Sequence, residues 1–483
     1  MRTPNVQPKQ LAGNLIGLVN TEKVPELPFE NIAKLGRDLA ALPYDLGPRP
    51  MILLKTPHGI LKTAEGVDLS DLTPGDFVDA THFSIPEKEV LRKRRDLLVM
   101  IGFRTPYVSR ILSRHGRIRA GIDDFAQIIG KEAPAVLSRE RDIAGALTYS
   151  YGVLIDEGEG YALVASRNLY EAYLAVQIME KGAEIQLKGT ALGGIKPLTG
   201  TVSRLEQTVY HTKYSKAEQS FQNDAGGSNA DASETDGATS RDSTEPAPNV
   251  VVGTMSKVAE AATRAMDTIT YRASKREKRR RAHAKAAEEA RRIEELADAR
   301  QALVDCGKAL TEENILQGTW GNLSVRLRSG TMLTTPSGLD YRHLEPEDMV
   351  IVDIYSLEYT GDNKPTSEKA LHAGIYALFP EAGAVIHTHA VNTAVYAACR
   401  MPLEVEDPAL AGHIGSILPV ADYGFAGTKK LTRNVLDAIG NARGCILANH
   451  GMICWGTDLD DAVAVCKEME QAAEAALARR LSD

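Results

Sequence analysis

The chain is 483 residues long, 43% hydrophobic and 25% charged, with a formal net charge of −8 at neutral pH. These values suit a soluble globular protein of two domains, and the acidic balance argues against a general nucleic-acid partner. Five cysteines (Cys306, Cys399, Cys445, Cys454 and Cys466) lie in the second half without paired spacing, which suggests reduced thiols rather than disulfides or a cysteine-ligated zinc. The N-terminal stretch lacks a basic-then-apolar leader, and no apolar run approaches the roughly 18 residues of a membrane span. The expectation is a cytoplasmic protein with no membrane partner.

Residues 1–218 mix helix and strand patterns. Ile52-Leu53-Leu54 before Thr56-Pro57-His58-Gly59 predicts a strand ending in a turn, and Leu72-Thr73-Pro74-Gly75-Asp76-Phe77-Val78 leads into another. Residues 97–101 and 147–155 predict buried strands. Residues 168–181 have helical spacing through Leu169, Tyr173, Val176 and Met179. Residues 219–250 change character, with six acidic residues against one basic and Phe221 as the sole aromatic. Such a segment buries too little apolar surface to offset its ordering entropy, so a disordered linker is expected.

Residues 251–289 predict a charged amphipathic helix. Val251, Met255, Val258, Ala262, Met266 and Ile269 form a stripe that either pairs helices between subunits or docks on a domain. The basic run from Lys275 to Arg281, with Glu288-Glu289 and Glu294-Glu295 after it, reads as a solvated helix face rather than a nucleic-acid or membrane contact.

Residues 290–483 carry the chemistry. A helix through Leu303 and Leu310 leads to Gly321-Asn322-Leu323-Ser324, then a hairpin turns at Ser329-Gly330 and closes at Thr335-Pro336-Ser337-Gly338. A strand at 349–354 precedes Thr366-Ser367-Glu368, which opens a helix stopped by Pro380. The apolar run Ala384-Val385-Ile386 then predicts a buried strand that carries His387 and His389 on one face, since residues two apart in a strand point the same way. A third imidazole, His450, ends another apolar run at Gly451. Any one of these alone is better read as a core or surface histidine. Three converging from strand ends match a catalytic zinc-type site with an open fourth position.

Together, Gly321-Asn322-Leu323-Ser324, Pro336-Ser337-Gly338, Pro365-Thr366-Ser367-Glu368, His387-Thr388-His389 and Asn449-His450-Gly451 resemble the class II aldolase/adducin family over residues 290–480. The resemblance implies an α/β layered fold with a central, largely antiparallel sheet flanked by helices. It implies one zinc per chain on His387, His389 and His450, with Glu368 as general acid/base. It also implies a phosphate cradle from Gly321, Asn322, Ser337, Gly338, Thr366 and Ser367, and a homo-oligomer acting on a small phosphorylated sugar or sugar acid. The implied reaction is aldol cleavage through a metal-stabilised enediolate, with decarboxylation, dehydration or a non-catalytic adducin-like role as alternatives. Family aldolases use a tyrosine near positions 405–410 from a neighbouring subunit, whereas this chain reads Val405-Glu406-Asp407-Pro408-Ala409. Tyr423 is nearby but not at that position. His372 fits a supporting or packing role, and His413 either lines the pocket or lies on the surface.

The first half reads as a degenerate copy in tandem. Thr56-Pro57-His58-Gly59 echoes Thr335-Pro336-Ser337-Gly338, and Leu72 to Val78 echoes the segment from Leu344 to Val350. Gly102 and Arg104 fall where His387 and His389 stand, and Tyr151 falls on His450. Loss of all three ligands implies that this copy holds no metal and acts as scaffold, with Arg104 or Arg110 as candidates to serve a neighbouring site.

Overall fold

A computed structural model describes residues 27–48, 50–80, 83–213 and 257–482. The linker expected at 219–250 lies outside the described residues, as do Val251, Met255 and the side chains of the remaining stripe positions. The chain forms two compact units, one of Gly227–Ala299 and one combining Met1–Gly226 with Arg300–Asp483. The described part of the former is helical. It belongs to one helix, Lys257–Glu312, which continues past the boundary expected at 289 because neither proline nor glycine interrupts the sequence before Gly307. Arg276, Lys278, Arg280 and Arg281 on it are exposed.

The larger unit is built on two sheets. The first comprises β1 (Met51–Thr56), β2 (Gly59–Thr63), β3 (Phe77–Asp79), β4 (Val99–Phe103), β5 (Ala135–Val136), β6 (Gly152–Ile155) and β7 (Tyr161–Ser166). The second comprises β8 (Asn322–Arg326), β9 (Thr331–Thr334), β10 (Val350–Asp353), β11 (Tyr359–Thr360), β12 (Ala384–Thr388), β13 (Val420–Ala421), β14 (Gly444–Leu447) and β15 (Gly451–Gly456). Strand order is β3-β2-β1-β4-β7-β6-β5 in one and β11-β10-β9-β8-β12-β15-β14-β13 in the other. Apart from the added edge strand β11, the two orders superpose strand for strand. Each sheet is antiparallel except at one end, where β5 runs parallel to β6 and β13 to β14.

Small details repeat as well. The Thr63 hydroxyl accepts the Ile52 amide at 3.0 Å, and the Thr335 hydroxyl accepts the Leu323 amide at 3.1 Å. Asp76 and Asp348 close matching capping boxes, and Asp68 and Asp340 cap matching 3-10 turns. Two of the sequence echoes shift in consequence. The counterpart of Thr335-Pro336-Ser337-Gly338 is Thr63-Ala64-Glu65-Gly66, with left-handed Gly66 and Gly338 (φ 75° and 80°), while Thr56 to Gly59 is the preceding hairpin turn. Tyr151 precedes β6, so it corresponds to the start of β14; the position of His450, directly before β15, is held by Gly160 before β7. Register keeps Gly102 opposite Met51 as His387 lies opposite Asn322. Only the end of the expected 147–155 strand is extended, because Glu140–Ala146 is a helix and a turn follows it.

Helices Lys369–Leu378 and Lys429–Ala438 bring Leu371, Ile375, Phe379, Leu431 and Val435 onto the second sheet against Val385, Ile453 and Trp455. The first sheet packs Leu53, Met100, Val153 and Leu163 with Leu91 and Ile143. Helix Leu169–Lys188, capped by the Asn168 side chain on the Glu171 amide, packs against Val391–Cys399 of the second half. The Trp320 indole donates to Gln127 at 3.0 Å, and the Asn449 amide donates to the Gly121 and Lys196 carbonyls at 2.6 and 2.8 Å. The halves share one folded body. Replacing fully buried Leu53 by alanine should cost about 2–5 kcal/mol. It should also lower the urea midpoint read by Trp320 and Trp455, the chain's two tryptophans, both in the other half. An unchanged tryptophan transition would show that the halves unfold separately.

Candidate metal centre

His387 near the end of β12 and His389 just past it lie with ring centroids 4.9 Å apart, and the tight β14–β15 turn brings the His450 ring centroid within 4.8 Å of both. Gly451 makes that approach possible, since a Cβ there would lie 2.3 Å from the Thr388 carbonyl and 2.9 Å from the His389 ring. The Nε2 atom of His387 is 3.1 Å from that of His450 and 3.0 Å from that of His389. Burial drives His389 down to about 4 and His450 well below its ordinary range, so both are neutral at pH 7.

The outer nitrogens fix the protons. His387 donates from Nδ1 to the Met452 carbonyl at 2.7 Å. The Nδ1 atoms of His450 and His389 have no fully formed hydrogen bond, but each faces a carboxylate: Asp123 Oδ2 at 3.3 Å and Asp124 Oδ2 at 3.6 Å. Protons on Nδ1 leave three Nε2 lone pairs aimed at one point. Ligand nitrogens around a tetrahedral zinc lie roughly 3.3 Å apart, so the cluster has the size and donor chemistry for that ion.

Glu368 completes the wall. The sequence predicts an open fourth position; here Glu368 Oε2 stands 3.2 Å from His387 Nε2, and Oε1 is 3.7 Å from His450 Nε2. Asn322 donates to Oε2 at 2.9 Å, while buried Oε1 has no partner. Burial alone would raise this carboxyl, but His387 and His450 outweigh it and hold it at about 2. Asn322 is itself oriented by His372, which bonds Asn322 Oδ1 through Nε2 and Ser324 Oγ through Nδ1. Burial pushes His372 down to about 3, so this support is uncharged.

One pocket gathers Gly321, Asn322, Ser337, Gly338, Thr366, Ser367, Glu368 and all three histidines. Gly321 has φ 88°, and a Cβ there would lie 2.4 Å from Leu316 and 2.7 Å from the His387 carbonyl oxygen. The first half supplies Asp123, Gln127 and Tyr210 to the same pocket, none of which the sequence reading singles out. One signal was available: Asp123-Asp124 sits inside an apolar stretch, and buried carboxylates require partners. Arg104 and Arg110 do not line this pocket; Arg104 pairs with Glu159, and Arg110 lies over the Tyr107 ring. His413 is on the surface side, between Glu468 and Asp461 at 2.6 and 3.0 Å. Tyr423 donates to Glu206 of the first half at 2.6 Å. The first half's own open pocket contains Gly102, Arg104 and Gly160 at the histidine positions. Among the described residues, groups able to hold a metal occur only at the His387/His389/His450 cluster and its neighbours Asp123 and Asp124.

The family profile for the Class II Aldolase and Adducin N-terminal domain matches residues 301–477. The chain is 38% identical over 175 residues to the 5-methylthioribulose-1-phosphate/5-deoxyribulose-1-phosphate aldolase of Rhodospirillum rubrum, covering 36% of this chain and 78% of the relative. The chain belongs to the class II aldolase family. It is 32% identical to the L-fuculose phosphate aldolase of Escherichia coli K12 over 172 residues, 36% of this chain and 79% of the relative. A solved L-fuculose 1-phosphate aldolase matches 38% of this chain and 88% of its own at 33% identity, with a TM-score of 0.37. The protein is thus a class II aldolase-like lyase of mixed α/β fold.

The buried imidazoles make this aldolase acid-sensitive. Between about pH 6.5 and 4 the unfolded chain takes up protons at His372 and His389 that the folded chain refuses, so stability falls as pH falls through that window. Urea midpoints of chelator-treated protein should rise from pH 4 to 6.5, and His372→Gln should flatten the slope by about 1.4 kcal/mol per pH unit. A slope unchanged by that substitution would contradict a neutral His372.

Proposed function

We propose that the protein is a zinc-dependent aldolase-type lyase that cleaves a ketose 1-phosphate, with the metal held by His387, His389 and His450. The observation that carries this reading is the convergence of three imidazole Nε2 atoms beside an ionised Glu368. When bound, zinc would act as a Lewis acid toward the substrate's carbonyl and hydroxyl oxygens. Glu368 would take the hydroxyl proton on its unpartnered Oε1 while Asn322 holds Oε2, and would later return it. The phosphate would lie against Ser337, Thr366, Ser367 and the Gly321 and Gly338 backbone, at the positive start of helix Lys369–Leu378. Among the described residues, neither lysine nor arginine lines this pocket. The named substrates of the relatives (5-methylthioribulose, 5-deoxyribulose and L-fuculose phosphates) form the first panel to try.

A dehydratase or decarboxylase is the second reading. Residues 405–410, where family aldolases carry a tyrosine, contain none, and the tyrosine that the first half brings to the pocket is Tyr210 on a different element. Product analysis separates the two: cleavage releases an aldehyde and a three-carbon keto phosphate, whereas the alternatives release water or carbon dioxide.

We also propose a homo-oligomer. Helices Asp123–Ile128 and Pro408–Ile414 hold the same place in the two topologies, each between the strands of a two-stranded ribbon. Every residue of the first is buried, whereas Pro408, Ala409 and Gly412 are exposed. The exposed helix would seat on the first half of a second chain, giving a ring of two chains and four repeats. The five cysteines, free in this structure, fit the cytoplasmic location proposed for it.

Elemental analysis should find about one zinc per chain, lost in His389→Ala; two per chain would contradict a metal-free first half. Glu368→Gln should lower kcat by roughly 10²- to 10⁴-fold without loss of metal. Ser337→Ala should raise KM for a phosphorylated substrate about tenfold or more with kcat little changed. Light scattering should give twice the mass of one chain.

A further inference from the structure

The first half has lost its own ligands, yet it faces two of the three imidazoles from behind. His387 finds its Nδ1 acceptor within its own half, at the Met452 carbonyl. His389 and His450 have no such acceptor in theirs, and their buried Nδ1 atoms lack a fully formed bond. Facing them are Asp124 and Asp123, adjacent on helix Asp123–Ile128 of the other half.

Both carboxylates are built in. Asp124 receives the Lys181 ammonium at 2.9 Å, with both side chains buried, and its Oδ1 accepts the Phe125 amide at 2.7 Å. Asp123 Oδ1 accepts the Asp124 amide at 2.9 Å, leaving Oδ2 turned toward His450 with no bond of its own. The helix is pinned to the metal half where it matters, because the Asp123 amide donates to the Asn449 carbonyl, next to His450, at 2.9 Å. Asn449 takes a left-handed conformation (φ 56°), and its side chain bonds Gly121 and Lys196 on one side and Arg400 on the other.

We propose that Asp124 and Asp123 are positioning residues that hold His389 and His450 as Nδ1–H tautomers with Nε2 directed at the metal, so that the ligand-free repeat supplies the outer support of its partner repeat's metal site. This rests on the metal site proposed above. A carboxylate behind a ligating imidazole fixes its tautomer and orientation and strengthens it as a donor. The alternative use of the same oxygens, as direct ligands of a second ion, conflicts with Lys181, whose ammonium already neutralises Asp124. An oxygen of Asp123 keeps acceptor lone pairs whether or not the carboxyl is protonated.

The test is zinc affinity of the full chain by competition with a chromophoric chelator, beside the visible spectrum of the cobalt-substituted protein. Asp124→Asn and Asp123→Asn should each weaken zinc binding about 10- to 100-fold and shift the cobalt bands. Folding is checked by circular dichroism of the metal-free proteins. Asp123→Asn serves where Asp124→Asn leaves Lys181 too costly to bury. Glu180→Gln is the control: Glu180 is bonded to Thr105 and the Tyr107 and Val108 amides and touches none of the histidines, so its loss should leave zinc affinity unchanged. A wild-type protein that binds one zinc, with both Asp variants within twofold of it, would overturn this inference and leave the function intact. No zinc in the wild type would overturn the metal site itself. A second equivalent lost in Asp123→Asn would make the carboxylates ligands and overturn the positioning role.

Discussion

The structure depends on holding three buried imidazoles aligned and nearly touching. Imidazole nitrogens about 3 Å apart repel when their lone pairs converge, so the arrangement needs each proton held on the far side and a cation or proton at the centre. A fully buried central strand, a glycine turn and a neighbouring carboxylate together meet those demands. β12 carries His387 and leads directly into His389, Gly451 lets the third ring approach, and Glu368 contributes negative charge against the same point. Behind Glu368, a chain of neutral groups from Tyr376 through Ser324, His372 and Asn322 sets its orientation without adding charge. Both ring nitrogens of His372 are taken up in that chain, by Asn322 and Ser324, which leaves none to face the cluster.

The first half matches the second in strand order and contributes residues to its pocket. Its sheet repeats the order and parallel edge of the second, but Gly102, Arg104 and Gly160 stand where the ligands would be. What it retains is shape. Helix Asp123–Ile128 and Tyr210 reach the functional pocket, and Trp320, Asn449 and Tyr423 of the second half bond back to Gln127, Gly121 and Glu206.

The site was legible in sequence wherever the chemistry lies in contiguous stretches. His387 lies in the expected strand with His389 just past its end, His450 sits beside its glycine, and Thr366-Ser367-Glu368 opens a helix; each follows from local periodicity and turn chemistry. The contribution of Gln127 and Tyr210 was not legible, because it arises from packing between halves that local pattern does not encode; for Asp123 the one local signal was an Asp pair inside an apolar stretch. The repeat was visible but misregistered. Thr56 to Gly59 resembles Thr335 to Gly338 in composition, while hydrogen bonding shows that Thr63 is the true counterpart of Thr335. The stretch 147–155 misled for a similar reason: an apolar run reads as strand even where its first residues close a helix. The helix boundary at 289 failed because a change of charge pattern is no stop signal without glycine or proline.

The most direct test of the account is cleavage of a ketose 1-phosphate by metal-loaded, chelated and reloaded protein, following release of aldehyde and three-carbon keto phosphate. Activity should vanish on chelation, return with zinc, and be absent in His450→Ala under all three conditions. Cleavage that survives chelation, or persists in His450→Ala, would contradict it.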